Sequence, residues 1–302
     1  RKSHEAWVKN VAAWRTENEA HIPKDHLPKN IMETLNDNMG EDTIIVIPPG
    51  CSALFSGFGK ETNLKIAGVQ MNLENTAACC SSIRAALDAQ GNTHTTVLGF
   101  AGDGGTLDIG LQALSGAFER GDRIMYVCYD NEAYMNTGIQ GSSATPYGAS
   151  TTTTPGGKRQ PKKDLMMIAM AHRISYAATA SLQNLNDLKR KIEKAKNAKG
   201  SSLLHIHTPC PTGWRCHSSL SIELARAAVQ TGSWILYEYE DGKITVNRKL
   251  KELKPLESYI GKQGRFKHLT PEQRDQMQEE VRENYFAYTG MLERMNAPAE
   301  TV

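Results

Sequence analysis

Between residues 43 and 240, short apolar β-branched runs alternate with helical segments, and this alternation limits the fold more than any other feature. Strands are expected at Thr43–Ile47 (TIIVI), Thr95–Phe100 (TTVLGF), Arg123–Tyr129 (RIMYVCY), 175–180, 202–208 and 233–239. Helices are expected at Asn75–Ala89, Leu107–Phe118, 164–172, 184–198 and 219–231. Runs this continuously apolar suit strands covered on both faces, as in a parallel sheet with helices on either side. The fold class is therefore α/β, with a mostly parallel central sheet flanked by helices. Residues 1–42 read as a polar helical segment broken at Pro23 and Pro28. Residues 241–302 read as a charged tail, with a helix at Pro271–Tyr288 suited to pack on this domain or on another subunit.

Composition excludes several classes. The 302 residues carry 35 Lys plus Arg against 33 Asp plus Glu, a net charge of +2 that does not suit a nucleic-acid-coating protein. No run reaches the roughly 18 apolar residues of a membrane span, and no apolar export signal is evident. The six cysteines include no CxxC pair, so free thiols in the cytoplasm are expected.

Three Gly-rich or polar segments each follow an expected strand: Pro48-Pro49-Gly50-Cys51, Gly102-Asp103-Gly104-Gly105 and Asp130-Asn131-Glu132. Parallel sheets bind ligands at the carboxyl ends of their strands, so the three imply one shared site. In GDGGTLDIG the glycines let backbone approach a ligand. A helix starting at Thr106 or Asp108 would favour a diphosphate at its N-terminus. Asp103 is a hard oxygen ligand suited to Mg²⁺, and the Asn131 side-chain carbonyl could reach the same ion. Residues 138–163 hold almost only Gly, Ser, Thr, Pro and basic residues, and so long a connection is expected to serve the site.

The pairing of GDG with an Asn after the next strand resembles the thiamine-diphosphate signature. GDGGTLDIGLQALSGAFERG, CYDNEAYMNTGIQGSSATPYGA, AHRISYAATAS and HIHTPCPTGW together resemble the β subunit of the 2-oxoacid:ferredoxin oxidoreductases, the pyruvate synthase family. The resemblance covers roughly residues 43–240. It implies that Asp103, Asn131 (side chain) and Ala133 (carbonyl) hold Mg²⁺, and that Gly50, Cys51, Gly102, Gly104, Gly105 and Gly138 lie at the cofactor. It implies that Asn136, with Thr137 beside it, lies by the thiazolium and the substrate, and that the 138–163 loop covers the active site. The implied reaction is oxidative decarboxylation of a 2-oxoacid, with pyruvate as default and phenylglyoxylate or oxalate as others, to acyl-CoA and CO₂. Electrons would pass through iron–sulfur clusters to ferredoxin or another acceptor. The partners implied are α, γ and ferredoxin-like δ-type subunits and coenzyme A, with no nucleic acid and no membrane. A partner would supply the glutamate that contacts the aminopyrimidine, since Glu74 reads as structural.

The sequence departs from the family at the cysteines. Family β subunits hold a 4Fe–4S cluster with an N-terminal CxxC, the Gly-Cys turn and the Cys of PCPTGW. Only the last two have matches here, Cys51 and Cys210, a possible remnant of a cluster that needs four thiolates. Cys216 and His26 are the replacement ligands to consider. Cys79, Cys80 and Cys128 read as structural thiols, and His205 and His207 as core or supporting histidines. The basic run Lys158–Lys163 reads as a solvated loop that could alternatively attract coenzyme A phosphates or an acidic partner. Two other readings remain open: a non-oxidative thiamine-diphosphate decarboxylase subunit, and a non-catalytic scaffold.

Overall fold

The computed structural model describes residues 31–296 except 32, 33, 36, 58–61 and 63. The expected helical segment at 1–42 lies largely outside these residues, as do Pro23, Pro28 and His26. Its described end is helical up to Met39.

Eight strands form one sheet: β1 (Thr43–Ile47), β2 (Ala67–Gln70), β3 (Thr96–Gly102), β4 (Met125–Asp130), β5 (Tyr176–Ser181), β6 (Ser202–His207), β7 (Tyr237–Glu240) and β8 (Lys243–Val246). Their order is β2-β1-β3-β4-β6-β5-β7-β8. The first six run parallel, and β7 and β8 close one edge antiparallel. Successive side chains on the inner strands point to opposite faces, and both faces are buried. Val46, Val97, Ala101 and Tyr126 pack on one side under the helices α2 (Thr76–Ala89), α3 (Leu111–Glu119) and α4 (Leu165–Ala171). Ile45, Ile47, Leu98, Phe100 and Val127 pack on the other side against α5 (Leu185–Lys196).

A third cluster joins Trp214, Leu224, Trp234, Tyr259 and Phe266. It draws together α6 (Pro211–Trp214), α7 (Ser221–Gln230) and α8 (Glu257–Ile260). The chain after residue 240, expected as a tail, adds β8 to the sheet and then α9 (Pro271–Arg294). Leu292 of α9 shares a core with Ile244 of β8. Thr270 caps α9 by accepting from the Gln273 amide, while the Gln273 side chain accepts from the Thr270 amide. The expected strand at 233–239 begins only at Tyr237. The preceding residues turn, and the Trp234 indole donates to the Ala180 carbonyl at 3.0 Å. Among the described residues no helix is long and apolar enough to cross a membrane.

The order β2-β1-β3-β4 means that the adjacent strands β1 and β3 lead on in opposite directions, β1 to β2 and β3 to β4. Such a switch point opens a crevice beyond the carboxyl ends of the strands. The segments after β1, β3 and β4 meet there.

Candidate functional site

After β1, Gly50 leads into the short helix α1 (Cys51–Ser56). Tyr129, near the end of β4, pins its start: the tyrosine hydroxyl accepts from the Ser52 amide at 3.2 Å and donates to Ser52 Oγ at 3.0 Å. After β3, Asp103 leads into a π-helical turn at Gly104–Ile109, and α3 follows from Leu111. The helix expected from Thr106 or Asp108 therefore starts earlier. Thr106 Oγ1 donates to the Gly102 carbonyl at 2.8 Å, and the Asp108 carboxylate accepts from the Ser143 amide at 3.1 Å. The first N–H groups of such a turn have no partner within it and are open to an acceptor.

Gly104 is needed for close approach. A Cβ there would stand 2.4 Å from the Tyr134 ring, whose hydroxyl donates to the Gly104 carbonyl at 3.1 Å. Gly213 of PCPTGW answers the same need, since a Cβ there would stand 2.0 Å from Met135 Sδ.

These segments line one open cleft. Of the residues expected from sequence, Gly50, Cys51, Gly102, Asp103, Gly104, Gly105, Asn131, Ala133, Asn136 and Thr137 line it. Gly138 and Cys210 do not. Pro49, Leu73, Tyr129, Tyr134 and Met135 complete the wall.

Three oxygens converge at the base. The side-chain amide of Asn131 turns its oxygen toward the Ala133 carbonyl, at 2.9 Å, and toward Asp103 Oδ1, at 3.0 Å. Hydrogen bonding alone favours the flipped amide, which donates to both oxygens; with its oxygen inward the amide instead offers a third acceptor beside them, as a bound cation would require, while the Asn131 N–H also donates to Asp103 Oδ1 at 3.3 Å. Adjacent ligands of an octahedral Mg²⁺ at about 2.0–2.1 Å stand about 2.8–3.0 Å apart. The donor set and spacing thus fit a small, hard divalent cation. Asp103 is fully buried. Burial, and then the Asp130 carboxylate beside it, raise the Asp103 carboxyl well above the usual range. A carboxylate so placed is stabilised by a cation.

The 138–163 loop lies on this base. Ser142 Oγ donates to Asp103 Oδ2 at 2.5 Å, and Thr145 Oγ1 donates to the Glu132 carbonyl at 2.7 Å. The lysines of its basic run fold inward rather than staying solvated as expected, while Arg159 remains exposed. Lys158 Nζ donates to the carbonyls of Ser143 and Thr145 at 3.1 and 2.8 Å. Lys162 Nζ pairs with Asp130 at 3.2 Å and Glu132 at 2.8 Å. Lys163 Nζ donates to the Leu107 carbonyl. Buried carboxylates and loop carbonyls draw the lysines inward. Burial alone would push Asp130 and Glu132 up, but Lys162 holds both below their ordinary values, aided by His205 at Asp130 and Arg265 at Glu132. His205 and His207 are buried supporting residues: His205 Nε2 lies 2.9 Å from Asp130, and His207 Nε2 lies 3.2 Å from the Tyr259 hydroxyl.

The cysteines sort by position. Burial and the neighbouring Cys210 push Cys51 up to about 11, so it is a protonated thiol at neutral pH. Burial also raises Cys210 and Cys216. Among the described residues no three His, Cys, Asp or Glu side chains are placed to share a metal ion. Cys80 and Cys128 are buried core thiols.

Sequence reasoning missed Ser142, Tyr134, Lys162, Trp214 and Arg265. Only the Gln140-Gly141-Ser142-Ser143 turn and the Trp of PCPTGW carried any local signal for them.

The "Thiamine pyrophosphate enzyme, C-terminal TPP binding domain" family matches residues 58–206. The pyruvate synthase subunit PorB of Methanothermobacter thermautotrophicus is 49% identical over 248 residues, covering 80% of this chain and 86% of that one. The ketoisovalerate oxidoreductase subunit VorB of Pyrococcus furiosus is 48% identical over 258 residues, covering 82% and 83%. A 2-oxoglutarate:ferredoxin oxidoreductase from Magnetococcus marinus, solved with 2-oxoglutarate, coenzyme A and succinyl-CoA bound, superposes with a TM-score of 0.51. At 18% identity over 66% of this chain and 72% of that one, this likeness speaks to the fold alone. On its fold and on its identity to PorB and VorB over most of their length, the chain belongs to the β-subunit family of the thiamine-diphosphate-dependent 2-oxoacid:ferredoxin oxidoreductases.

Proposed function

We propose that the cleft binds the diphosphate half of thiamine diphosphate through Mg²⁺, and that the assembled enzyme oxidatively decarboxylates a 2-oxoacid to its acyl-CoA. The observation that carries this reading is the Asn131 side-chain amide standing within 3.0 Å of both Asp103 Oδ1 and the Ala133 carbonyl. When bound, the cofactor supplies the nucleophilic carbon and the electron sink for loss of CO₂.

The residues of this chain bind and orient. Asp103, Asn131 and Ala133 hold the metal, and the first N–H groups of the turn at Gly104 and Gly105 receive the diphosphate. Gly50, Cys51 and Gly102 form the inner wall, and Gly138 turns the chain back at φ 125°. Asn136 and Thr137, exposed on the outer wall, face the reacting end and the 2-oxoacid. Leu73, Tyr134 and Met135 shield that end from water.

Among the described residues none that lines the cleft is a glutamate, and we assign to a partner α-type subunit the one that contacts the aminopyrimidine. We assign γ and ferredoxin-like δ-type chains as further partners, α9 as a contact segment, and ferredoxin as electron acceptor through the iron–sulfur clusters of the complex. Six free thiols suit a cytoplasmic complex. Pyruvate is the proposed substrate, and ketoisovalerate the alternative, because PorB and VorB relatives match almost equally well.

The test is viologen-dye reduction by the purified complex with each 2-oxoacid. Reduction that needs thiamine diphosphate, Mg²⁺, coenzyme A and pyruvate is expected. No reduction with any 2-oxoacid would contradict the proposal.

A further inference from the structure

Glu132 stands between two members of the oxygen triad, Asn131 and Ala133, and its backbone is left-handed at φ 69°. A residue other than glycine keeps that conformation only where its surroundings fix it. Here they do. The buried Glu132 carboxylate is held by Lys162 from the loop and by the Arg265 guanidinium, 133 residues away in sequence. Its carbonyl accepts from Thr145 Oγ1.

Arg265 also reaches the neighbouring residue. Trp214 Nε1 donates to the Asn131 carbonyl at 2.9 Å, and the Arg265 guanidinium lies 4.0 Å from the centre of the Trp214 ring. Gln263 Oε1 accepts from Arg265 Nε at 2.8 Å and sets the orientation of the fork. The Arg265 carbonyl accepts from the Ser150 amide at 2.8 Å, which ties the same residue to the loop. One side chain, 2% exposed, thus holds the Glu132 carboxylate directly and, through Trp214, the Asn131 backbone carbonyl, on the turn that lies between the Asn131 side chain and the Ala133 carbonyl.

We propose that Arg265 is a positioning residue for the metal-binding turn: paired with Glu132 and stacked on Trp214, it keeps the Asn131 and Ala133 oxygens in the register that Mg²⁺ requires. This rests on the reading of the cleft as a Mg²⁺–diphosphate site. A lysine cannot replace it, because an ammonium has neither the planar fork nor the stacking face. Outer partners of metal ligands change metal affinity by about 10–100-fold.

The test uses the full complex stripped of cofactor and metal. Thiamine diphosphate binding is followed by calorimetry as Mg²⁺ is raised, for wild type, Arg265→Lys and the double variant Arg265→Met/Glu132→Gln. The double variant removes both charges of the buried pair, so neither is left uncompensated if the lysine variant does not assemble. Both variants are expected to need about 10–100-fold more Mg²⁺ for half-saturation, with near wild-type thiamine diphosphate affinity once Mg²⁺ saturates. A merely structural arginine would lower the melting temperature and leave the Mg²⁺ requirement unmoved. A wild-type Mg²⁺ requirement in whichever variants assemble overturns the proposal. Failure of wild type itself to show Mg²⁺-dependent binding overturns the reading beneath it.

Discussion

Asp103 Oδ1 and the side-chain amide of Asn131 meet at 3.0 Å, although 28 residues and the whole of α3 separate them in the chain. The parallel pairing of β3 with β4, which sets Gly102 beside Tyr129, brings their ends together. The GDG-to-Asn spacing is therefore one complete βαβ crossover, and the crossover gives the spacing its meaning.

Ser142 orients the carboxylate of that pair. Its hydroxyl donates to Asp103 Oδ2 at 2.5 Å, while Oδ1 faces the Asn131 backbone N–H and side-chain amide. Ser142→Ala should weaken Mg²⁺ about tenfold, the usual cost of losing an outer partner. A Mg²⁺ titration of thiamine diphosphate binding checks this; an unchanged midpoint would detach Ser142 from the metal site.

Asn136 is exposed on the wall of the cleft, so its removal should cost the fold no more than about 0.5 kcal/mol. We expect Asn136→Ala to lower kcat on the order of 100-fold while cofactor affinity stays close to wild type. Steady-state rates measured beside calorimetry separate the two effects. Unchanged turnover would remove Asn136 from the reaction.

Glu238 tests the fold rather than the site. It ties β7 to β5 and α5: its carboxylate accepts from the Tyr176 hydroxyl at 2.7 Å and pairs with Arg190 and Lys194. Burial pushes it up, but these donors and Asn247 hold it down to about 2. A depressed carboxyl stabilises the fold above its unfolded value of about 4.5, and that stability is lost as pH falls toward 2. Glu238→Gln should cost about 1–2 kcal/mol at pH 7, allowing for screening of the partly exposed Arg190 and Lys194. The gap in melting temperature from wild type should narrow between pH 4.5 and pH 3; a gap that widens on acidification would refute the assignment.

Much of this was legible in the sequence, and the exceptions share a cause. β1, β3, β4, β5 and β6 show themselves because strands covered on both faces need continuous apolar runs. β2 (AGVQ) is an exposed edge strand and carries no such pattern. Asp103 and Asn131 were legible because one crossover fixes their spacing. Lys162 and Arg265 were not, because they reach Glu132 from residues 30 and 133 positions away. Nothing local says that Lys158–Lys163 folds inward; the carboxylates and carbonyls that draw it in lie elsewhere in the chain.

Cys51 bears on how electrons leave. It lines the cofactor cleft, and among the described residues no three His, Cys, Asp or Glu side chains are placed to share a metal ion, whereas a cluster is held by four ligands. We expect Cys51→Ser to leave the iron content of the purified complex unchanged. Loss of one cluster's iron would instead make Cys51 a ligand whose partners lie beyond the described residues.

The most direct test of the central claim is calorimetry of thiamine diphosphate binding to the metal-free complex, with Mg²⁺ and with chelator, for wild type and Asp103→Ala. Wild type should bind with Mg²⁺ and lose at least about 100-fold with chelator, and Asp103→Ala should bind equally weakly in both. Mg²⁺-dependent binding of wild-type strength in Asp103→Ala would contradict the account.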